Sequence, residues 1–364
     1  MIGIYKKERI KYYDLLRTLA IFGVIISHVF LIFPNAEVMH FKIVSFRQVF
    51  MYAVPLFLMI SGALLLNRDI EIKEFFKKRL SRIITPFVFY MIVHVIVLCF
   101  VLTLFFDFKL ISCYLALVPF EYNWYFWLIL GIYITVPVIN KFVQHSSLKE
   151  IEYFIAVLFL GSIFYQIMFI LNITHYVNLN LVLCPVAYLV LGYYLSVRDF
   201  DMSPNKIIAI SILLFIAITA IKVLSVDGYL PFEYVTGYDI TTSPRVATKV
   251  DLGIFELIRV SSLFLMVRYL FESKSGIGKK IRNVFENSSI VNAYTSISRA
   301  SYGMYLVNRT VLIPVELMVA TMALSGTRTC IFILILMVAA NLIAYIVVII
   351  FNRIPFIKRF SGYH

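Results

Sequence analysis

Apolar stretches of about twenty residues recur along the chain, and this pattern constrains the fold more than any other feature. They cover residues 13–34, 44–66, 83–106, 124–143, 151–171, 179–196, 207–225, 253–271, 299–323 and 329–351. At about 1.5 Å per residue, each crosses most or all of a hydrocarbon layer about 30 Å thick. Hydrophobic residues make up 62% of the chain and charged residues 15%, well outside the usual composition of soluble domains. The sequence therefore predicts an all-α polytopic membrane protein with about ten transmembrane helices.

The positive charges lie mainly on alternate connecting segments, which predicts the orientation of these helices. With both termini in the cytosol, the inner segments hold 21 lysines and arginines and the outer segments hold 6. The inner segments are 1–11, 67–82, 141–150, 197–206, 272–282 and 352–364. We therefore predict an N-in, C-in topology. The same bias accounts for most of the net charge of +13 without a nucleic-acid partner.

No connecting segment is long enough to form a soluble catalytic domain. The longest, about 227–252, is interpreted as an outer connector, with an acceptor-side lid as the alternative, and the apolar patch in 107–123 as an interfacial segment. We predict a single integral membrane domain over residues 1–364. The four cysteines are scattered and histidines are not clustered, so neither a disulfide framework nor a metal site is expected.

The first apolar stretch contains two ionisable residues, Arg17 and His28, in "LLRTLAIFGVIISHVF" (15–30). Their separation in an α-helix is only about 20° more than three full turns, so both point the same way, about 16 Å apart along the axis. Asp14 lies near the same face. Ionisable residues inside spans usually face a polar cavity and mark a functional path. The alternatives are a snorkelling anchor for Arg17 and a structural, hydrogen-bonded histidine for His28.

Polar and aromatic residues at the ends of two other stretches are further candidates. Arg79 and Arg82, in "FFKKRLSRIITPF" (75–87), share one helix face and suit phosphate recognition. An ordinary cluster of cytosolic positive charge is the alternative. At the start of the fourth stretch, Trp124 is a candidate for stacking on a sugar, although an aromatic belt at the membrane interface also explains it.

The ninth stretch places Asn308 and Arg309 near the middle of the membrane, with Glu316 on the same face as Arg309. An Arg309–Glu316 ion pair satisfies both charges, and a role in a site is the alternative. Glu256 and Arg259 form a second candidate pair in the eighth stretch.

Two further polar positions are expected to be structural. Ser61-Gly62, in the second stretch, favours close helix packing over an approach of the backbone to a ligand. His94, in the third stretch, is expected to be a core histidine.

Together these residues resemble the motifs of the acyltransferase-3 family of membrane acyltransferases. The opening "YYDLLRTLAIFGVIISH" is similar to the family's first helix, in which ten residues separate an arginine from a histidine, here Arg17 and His28. Arg79 and Arg82 match the family's R-x-x-R at the third helix. "VPLFLMISGALLL" resembles its F-x-x-S-G segment, and "ASYGMYLVN" its S-Y-x-x-Y-L motif. One position departs from the pattern, because many relatives carry histidine where this chain has Asn308.

The resemblance covers nearly the whole chain. It implies transfer of an acyl group, usually acetyl, from cytosolic acetyl-CoA to a hydroxyl of a glycan across the membrane. The "YYDLLR" opening resembles bacterial acyltransferases that modify surface polysaccharides, which implies a multi-pass protein of the bacterial cytoplasmic membrane. The expected partners are acyl-CoA, a glycan or lipid-linked saccharide, and membrane lipids.

The resemblance and the residue pattern assign roles to individual side chains. We expect His28 to act as general base and Arg17 to assist catalysis and bind acyl-CoA, with a covalent acyl-histidine as the alternative to direct transfer. Arg79 and Arg82 are expected to anchor the acyl-CoA phosphates. Three residues are expected to contact the substrate: Trp124, Asn308 and Arg309.

A transporter or flippase for a lipid-linked sugar or an anionic solute is the alternative function. The same polar residues then line a transport path, and flux occurs without acyl-CoA. The sequence shows neither an inverted-repeat pattern nor paired broken helices, which favours the acyltransferase.

Overall fold

The computed structural model describes residues 9–33, 37–38, 41–105, 123–170, 185–226, 253–320 and 326–364, and within these ranges the chain is almost entirely helical. Its α-helices are α1 (Lys11–Phe30), α2 (Ala53–Leu65), α3 (Ile72–Phe105), α4 (Trp124–His145), α5 (Leu148–Ile170), α6 (Val186–Val197), α7 (Pro204–Val226), α8 (Ile254–Glu272), α9 (Gly276–Phe285), α10 (Ser288–Ala320) and α11 (Gly326–Arg353). The 3₁₀ segment Ile43–Phe50 precedes α2, and a short 3₁₀ turn, Lys358–Phe360, follows α11. Two-residue strands β1 (Glu37–Val38) and β2 (Phe41–Lys42) pair antiparallel.

The helices have the composition and surface of membrane spans, which confirms the predicted fold class. Among the described residues, six helical stretches are long and apolar enough to cross a bilayer: Lys11–Phe30, Ser45–Leu65, Ile72–Val101, Trp124–His145, Pro204–Ser225 and Arg328–Arg353. Large apolar side chains on the peripheral helices point outward, such as Leu213 on α7 (68% exposed) and Leu334 on α11 (62%). A soluble protein rarely exposes such rows, whereas lipid covers them in a membrane.

Each of the ten predicted stretches coincides with a helix, but several helices continue past them. α3 begins at Ile72 and α10 at Ser288, each 11 residues before the apolar stretch that it contains. A hydropathy pattern detects only the apolar part of a helix, which lies in lipid, so it does not predict the polar residues at the start of these helices. The short basic helix α9 is a further helix that the pattern did not predict. The segments 107–122 and 227–252 lie outside the described residues, as does the start of the stretch 179–196.

Helix α1 lies inside the bundle and not against lipid. Of its apolar window, 72% is buried within the protein, compared with 28% for that of α11. It contacts α2, α8, α10, α11 and the 3₁₀ segment Ile43–Phe50. Side chains on α1 therefore face other helices, and an ionisable group there meets protein partners and cavities.

Helices α2 and α6 cross in backbone contact at two glycines. A Cβ atom on Gly62 would lie 1.9 Å from the Leu189 carbonyl oxygen, and one on Gly192 would lie 2.1 Å from that of Met59. Only glycine fits at such distances, which is the usual basis of close crossings between membrane helices. The packing role predicted for Ser61-Gly62 is thus confirmed for Gly62.

The predicted Glu256–Arg259 pair is present and belongs to a larger buried cluster. Arg259 Nη2 lies 2.6 Å from Glu256 Oε2, and Lys222 of α7 also donates to this carboxylate. Arg259 Nη1 donates to the Gln48 carbonyl oxygen at 2.5 Å. All three charged side chains are at most 1% exposed, so the cluster joins α7, α8 and the 3₁₀ segment inside the protein.

Segments that the charge pattern assigns to the cytosol contact one another. Gln144 Nε2 donates to the Arg68 carbonyl oxygen at 2.9 Å, and Asn205 Nδ2 donates to that of Ser275 at 3.2 Å. The fold therefore places these alternate segments at one end of the bundle. Arg268 reinforces this end by donating to the Leu195 carbonyl oxygen at 2.8 Å, which satisfies an acceptor at the end of α6.

Candidate active site

His28 is held by an asparagine on a neighbouring helix. Its Nδ1 atom lies 2.6 Å from Asn308 Oδ1, which joins α1 to α10. The Asn308 amide nitrogen donates to the Tyr305 carbonyl oxygen, so the amide oxygen is the atom that faces the imidazole. An amide oxygen only accepts, and His28 Nδ1 therefore carries the proton. In this tautomer Nε2 has the lone pair, which is the form a general base requires.

A cavity lies beside His28. Its walls come from α1, the 3₁₀ segment, α2, α4 and α10, and most lining residues are apolar. The polar and aromatic residues that line it are Ser27, His28, Arg47, Trp124, Tyr125 and Tyr305. A mostly apolar pocket with a few convergent polar groups is typical of a small-molecule site.

The predicted substrate residues are divided between two places. Trp124 lines the His28 cavity, and Asn308 is bonded to His28. Arg309 lines a second, smaller cavity with His94, and its Nη1 lies 2.8 Å from Glu316 Oε1. The predicted Arg309–Glu316 pair is thus present, and it lies apart from the His28 cavity.

His94 has the surroundings expected of a core histidine. It is 5% exposed, and its Nδ1 lies 2.9 Å from the Thr310 hydroxyl.

The three predicted acyl-CoA residues lie close to one tyrosine. Tyr133 of α4 is within electrostatic range of Arg79, Arg17 and Arg82, which brings α1, α3 and α4 together. Arg17 and Arg79 are half-buried, and Arg82 is exposed. In the described part of the chain, no carboxylate forms an ion pair with any of the three. Three guanidinium groups without a paired acid favour binding of an anion with several charges.

Asp14 does not pair with Arg17, although both lie near one face of α1. Its carboxylate receives hydrogen bonds from Arg9 Nε at 2.5 Å and Nη2 at 2.7 Å. The Ser298 hydroxyl donates to the same group at 2.7 Å, which ties the start of α1 to α10. Arg17 is therefore left to face α3 and α4.

Several residues of these sites escaped the sequence analysis. Arg47, Tyr125 and Tyr305 line the His28 cavity, and Lys222 belongs to the buried charge cluster. The sequence could have indicated Lys222, because a lysine inside an apolar stretch is energetically costly unless it is paired. Tyr305 is the second tyrosine of the S-Y-x-x-Y-L match, but the sequence assigned it no role, and only the fold places it at the His28 cavity.

Comparison with protein families matches residues 10–351 to the acyltransferase-3 Acyltransferase domain. The chain belongs to the acyltransferase-3 family. Comparison with curated proteins and with solved structures finds no match. The matched region of this membrane acyltransferase extends from the residue before α1 into α11, so it contains both the His28 cavity and the arginine cluster around Tyr133.

Helix α1 connects the two parts of the site in this acyltransferase. Arg17 lies among the cluster arginines and His28 at the cavity, about 16 Å apart along the helix axis. A residue of the arginine cluster and an oriented imidazole are thus carried by one rigid element. This arrangement suits a substrate with a charged end and a distant reactive group.

Proposed function

We propose that this acyltransferase transfers an acyl group, acetyl in the first place, from cytosolic acyl-CoA to a hydroxyl group across the bacterial cytoplasmic membrane. The acceptor is a cell-surface glycan or its lipid-linked precursor. The observation that supports this most strongly is the His28–Asn308 hydrogen bond of 2.6 Å, which orients an imidazole that lines a cavity. His28 is the general base in this proposal.

The donor binds through its phosphates at Arg17, Arg79 and Arg82. Acyl-CoA carries several phosphate charges at one end and the thioester at the other. Guanidinium groups match phosphate oxygens in bidentate geometry, and the three lie together around Tyr133. The arm of the donor then extends along α1 toward His28.

The chemical step is acyl transfer in which His28 Nε2 accepts the proton of the attacking hydroxyl. The hydroxyl oxygen forms a bond to the thioester carbonyl carbon, whose oxygen takes the negative charge. As that oxygen re-forms its double bond, the carbon–sulfur bond breaks and the CoA thiolate leaves. The imidazolium returns its proton to the thiolate. Base catalysis of this kind contributes about 10²–10⁴-fold in rate.

Trp124 is the proposed stacking surface for the acceptor sugar, since it lines the same cavity. Asn308 acts on the substrate through His28 in this proposal, because its amide is occupied by His28 and by the Tyr305 carbonyl oxygen. Arg309 stays a predicted acceptor contact at the rim of the second cavity, where Glu316 pairs with it.

Donor binding is tested by the thermal unfolding midpoint of the purified protein with acetyl-CoA. A ligand that binds only the folded state stabilises it by about 2.7 kcal/mol at a hundredfold excess over its Kd. We expect a rise in midpoint for the wild type and for His28→Gln, and a smaller rise for Arg79→Gln. Absence of any rise at millimolar acetyl-CoA contradicts the proposed donor.

Catalysis is tested with radiolabelled acetyl-CoA and a polyprenyl-linked saccharide, with hydrolysis recorded as transfer to water. We expect His28→Gln to lower the rate about 10²–10⁴-fold. His145→Gln is the matched control, because His145 is exposed at the end of α4 and bonds only its own helix at Lys141. Full activity of His28→Gln shows that His28 is not the base.

A further inference from the structure

Tyr305 presents a buried hydroxyl group with no hydrogen-bond partner. The residue is 7% exposed, it lines the His28 cavity, and no acceptor or donor in the described part of the chain bonds its hydroxyl. Buried hydroxyl groups in folded proteins are nearly always satisfied, because an unmade bond costs stability. By contrast, the hydroxyl of Tyr302, one turn earlier on α10, donates to the Ile83 carbonyl oxygen at 2.7 Å.

The Tyr305 hydroxyl faces the N-terminus of α4. It lies within reach of the backbone N–H groups of Tyr125 and Phe126, in an arrangement that falls short of a well-formed hydrogen bond. The Phe126 N–H already donates to the Asn123 carbonyl oxygen at 2.9 Å, whereas the first N–H groups of a helix have no acceptor within the helix. The Asn123 side chain does not cap α4, since its amide donates to Met91 Sδ at 2.9 Å.

Packing fixes these donors at the cavity. The rings of Tyr125 and Tyr305 meet edge to face, with centroids 5.2 Å apart, and both residues line the cavity together with Trp124. The hydroxyl and the helix end are both donors, and the positive end of the α4 dipole lies at the same wall. A negatively charged oxygen at this wall can accept hydrogen bonds from both kinds of donor.

One turn of α10 links this wall to His28. Asn308 receives the His28 Nδ1–H bond on its oxygen and gives its amide hydrogen to the carbonyl oxygen of Tyr305. Residues 305–308 thus hold the orientation of the base and the position of the tyrosine together. A base and an oxyanion donor on opposite sides of one reacting carbonyl are the two groups that acyl transfer needs.

We propose that the Tyr305 hydroxyl and the N-terminus of α4 form the oxyanion site for the acyl carbonyl group. This inference rests on the proposed acyl transfer. When the acceptor oxygen bonds to the thioester carbon, the carbonyl oxygen becomes an oxyanion and accepts hydrogen bonds from Tyr305 and from the α4 amides. Tyr305 keeps its proton throughout, and both bonds weaken when the carbonyl re-forms and the thiolate leaves.

The decisive variant is Tyr305→Phe, which removes the hydroxyl and keeps the ring packed. We expect kcat for acetyl transfer to the polyprenyl-linked saccharide to fall about 10²–10³-fold, the usual effect of losing one oxyanion donor. KM for acetyl-CoA stays within about threefold, since the bond is made mainly in the transition state. The thermal midpoint without ligand stays the same or rises, because an unsatisfied buried hydroxyl has been removed.

Tyr302→Phe is the matched control. It removes a tyrosine hydroxyl from the same helix, but one that is bonded to Ile83 and does not line the cavity. We expect a lower thermal midpoint and a kcat within about threefold of wild type. The two variants thus show opposite patterns, and a Tyr305→Phe protein that loses stability and activity together overturns the inference by indicating a structural role.

Two further results separate this inference from the proposed function. Wild-type protein that neither binds acetyl-CoA nor transfers acetyl rejects both. Wild-type activity that depends on His28 but is unchanged in Tyr305→Phe rejects the oxyanion site alone. Should Tyr305→Phe fail to fold, replacement of Tyr305 by 3-fluorotyrosine keeps the ring and the donor, and we expect near wild-type kcat; a loss as large as about 10²-fold contradicts the inference.

Discussion

At the scale of single residues, the identity of residue 308 determines which nitrogen of His28 is protonated. A neutral imidazole carries its proton on one of two ring nitrogens, and the hydrogen bond made by one nitrogen determines which of the two is protonated. Asn308 is 1% exposed and is itself fixed by its bond to the Tyr305 carbonyl oxygen. An asparagine can hold the imidazole in this way because its amide oxygen is an acceptor. Asn308 is thus a positioning residue in the proposed mechanism.

Replacing Asn308 by alanine tests that role. Loss of the acceptor frees the imidazole to change tautomer and orientation, and we expect kcat to fall about 10–100-fold, as when a hydrogen bond behind a functional histidine is removed. The rise in thermal midpoint caused by acetyl-CoA is expected to persist. Asn341→Ala is the control, because Asn341 bonds only the Met337 carbonyl oxygen of its own helix. Equal kcat in both variants contradicts the positioning role.

Part of this site was predictable from the sequence, and the rest was not, for a physical reason. Helical periodicity placed Arg17 and His28 on one face of α1, and that helix is continuous from Lys11 to Phe30. Periodicity acts within one helix, whereas the His28–Asn308 bond joins residues 280 positions apart. Tyr305 belongs to the S-Y-x-x-Y-L match, but the motif alone does not indicate that its hydroxyl lies unsatisfied at the His28 cavity. Contacts between helices must therefore come from the fold.

At the scale of helices, glycines and buried charges determine which pairs can approach. The α2–α6 crossing depends on Gly62 and Gly192, at which a Cβ would overlap the partner backbone. The crossing brings α2, which helps to line the His28 cavity, into a fixed position. Sequence analysis predicted the packing role of Gly62, but its partner helix was not predictable because several stretches contain glycine.

Gly62→Ala and Gly192→Ala are each expected to lower stability. A methyl group there overlaps backbone atoms that cannot rotate away, so the helices must separate, and overpacking of this kind costs about 1–3 kcal/mol or more. Gly131→Ala is the matched control, because a Cβ there meets nothing within 4 Å. Helix propensity makes that change neutral or stabilising by up to about 1 kcal/mol. Thermal unfolding in detergent measures all three, and equal midpoints contradict the close crossing.

Glu256 is expected to be the critical residue for the α7–α8 pair. Its carboxylate is 0% exposed and bonds both Lys222 and Arg259, so Glu256→Gln leaves two buried cations without their counter-charge. Breaking a buried pair in this way costs about 3–5 kcal/mol. Glu272→Gln is the control, because it removes the ion pair with Arg268 but its own side chain is 41% exposed. The expected loss of stability is at most about 1 kcal/mol. If the thermal midpoint of Glu256→Gln falls no further than that of the control, the buried cluster does not stabilise the fold.

At the scale of the whole molecule, the all-helical membrane fold was predictable from the sequence, and the described residues include six helical stretches long and apolar enough to cross a bilayer. Predicted cytosolic segments meet one another, as in the Gln144–Arg68 contact, while the Lys222–Glu256 pair lies near the opposite ends of α7 and α8. The alternation of loop charge records this sidedness because membrane insertion retains lysine and arginine on the cytosolic side. Which helices pack against each other was not predictable, because a hydropathy pattern does not indicate which spans are in contact.

Labelling with a membrane-impermeant maleimide tests the predicted orientation, which the whole mechanism requires because acyl-CoA is cytosolic. In a protein whose four native cysteines are replaced by alanine, Lys274→Cys lies between α8 and α9, and Arg328→Cys lies in the first turn of α11; both positions are exposed. We expect intact cells to label Arg328→Cys only, and permeabilised cells to label both. The reverse pattern places the arginine cluster around Tyr133 outside the cell, away from acyl-CoA, and rejects the proposed direction of transfer.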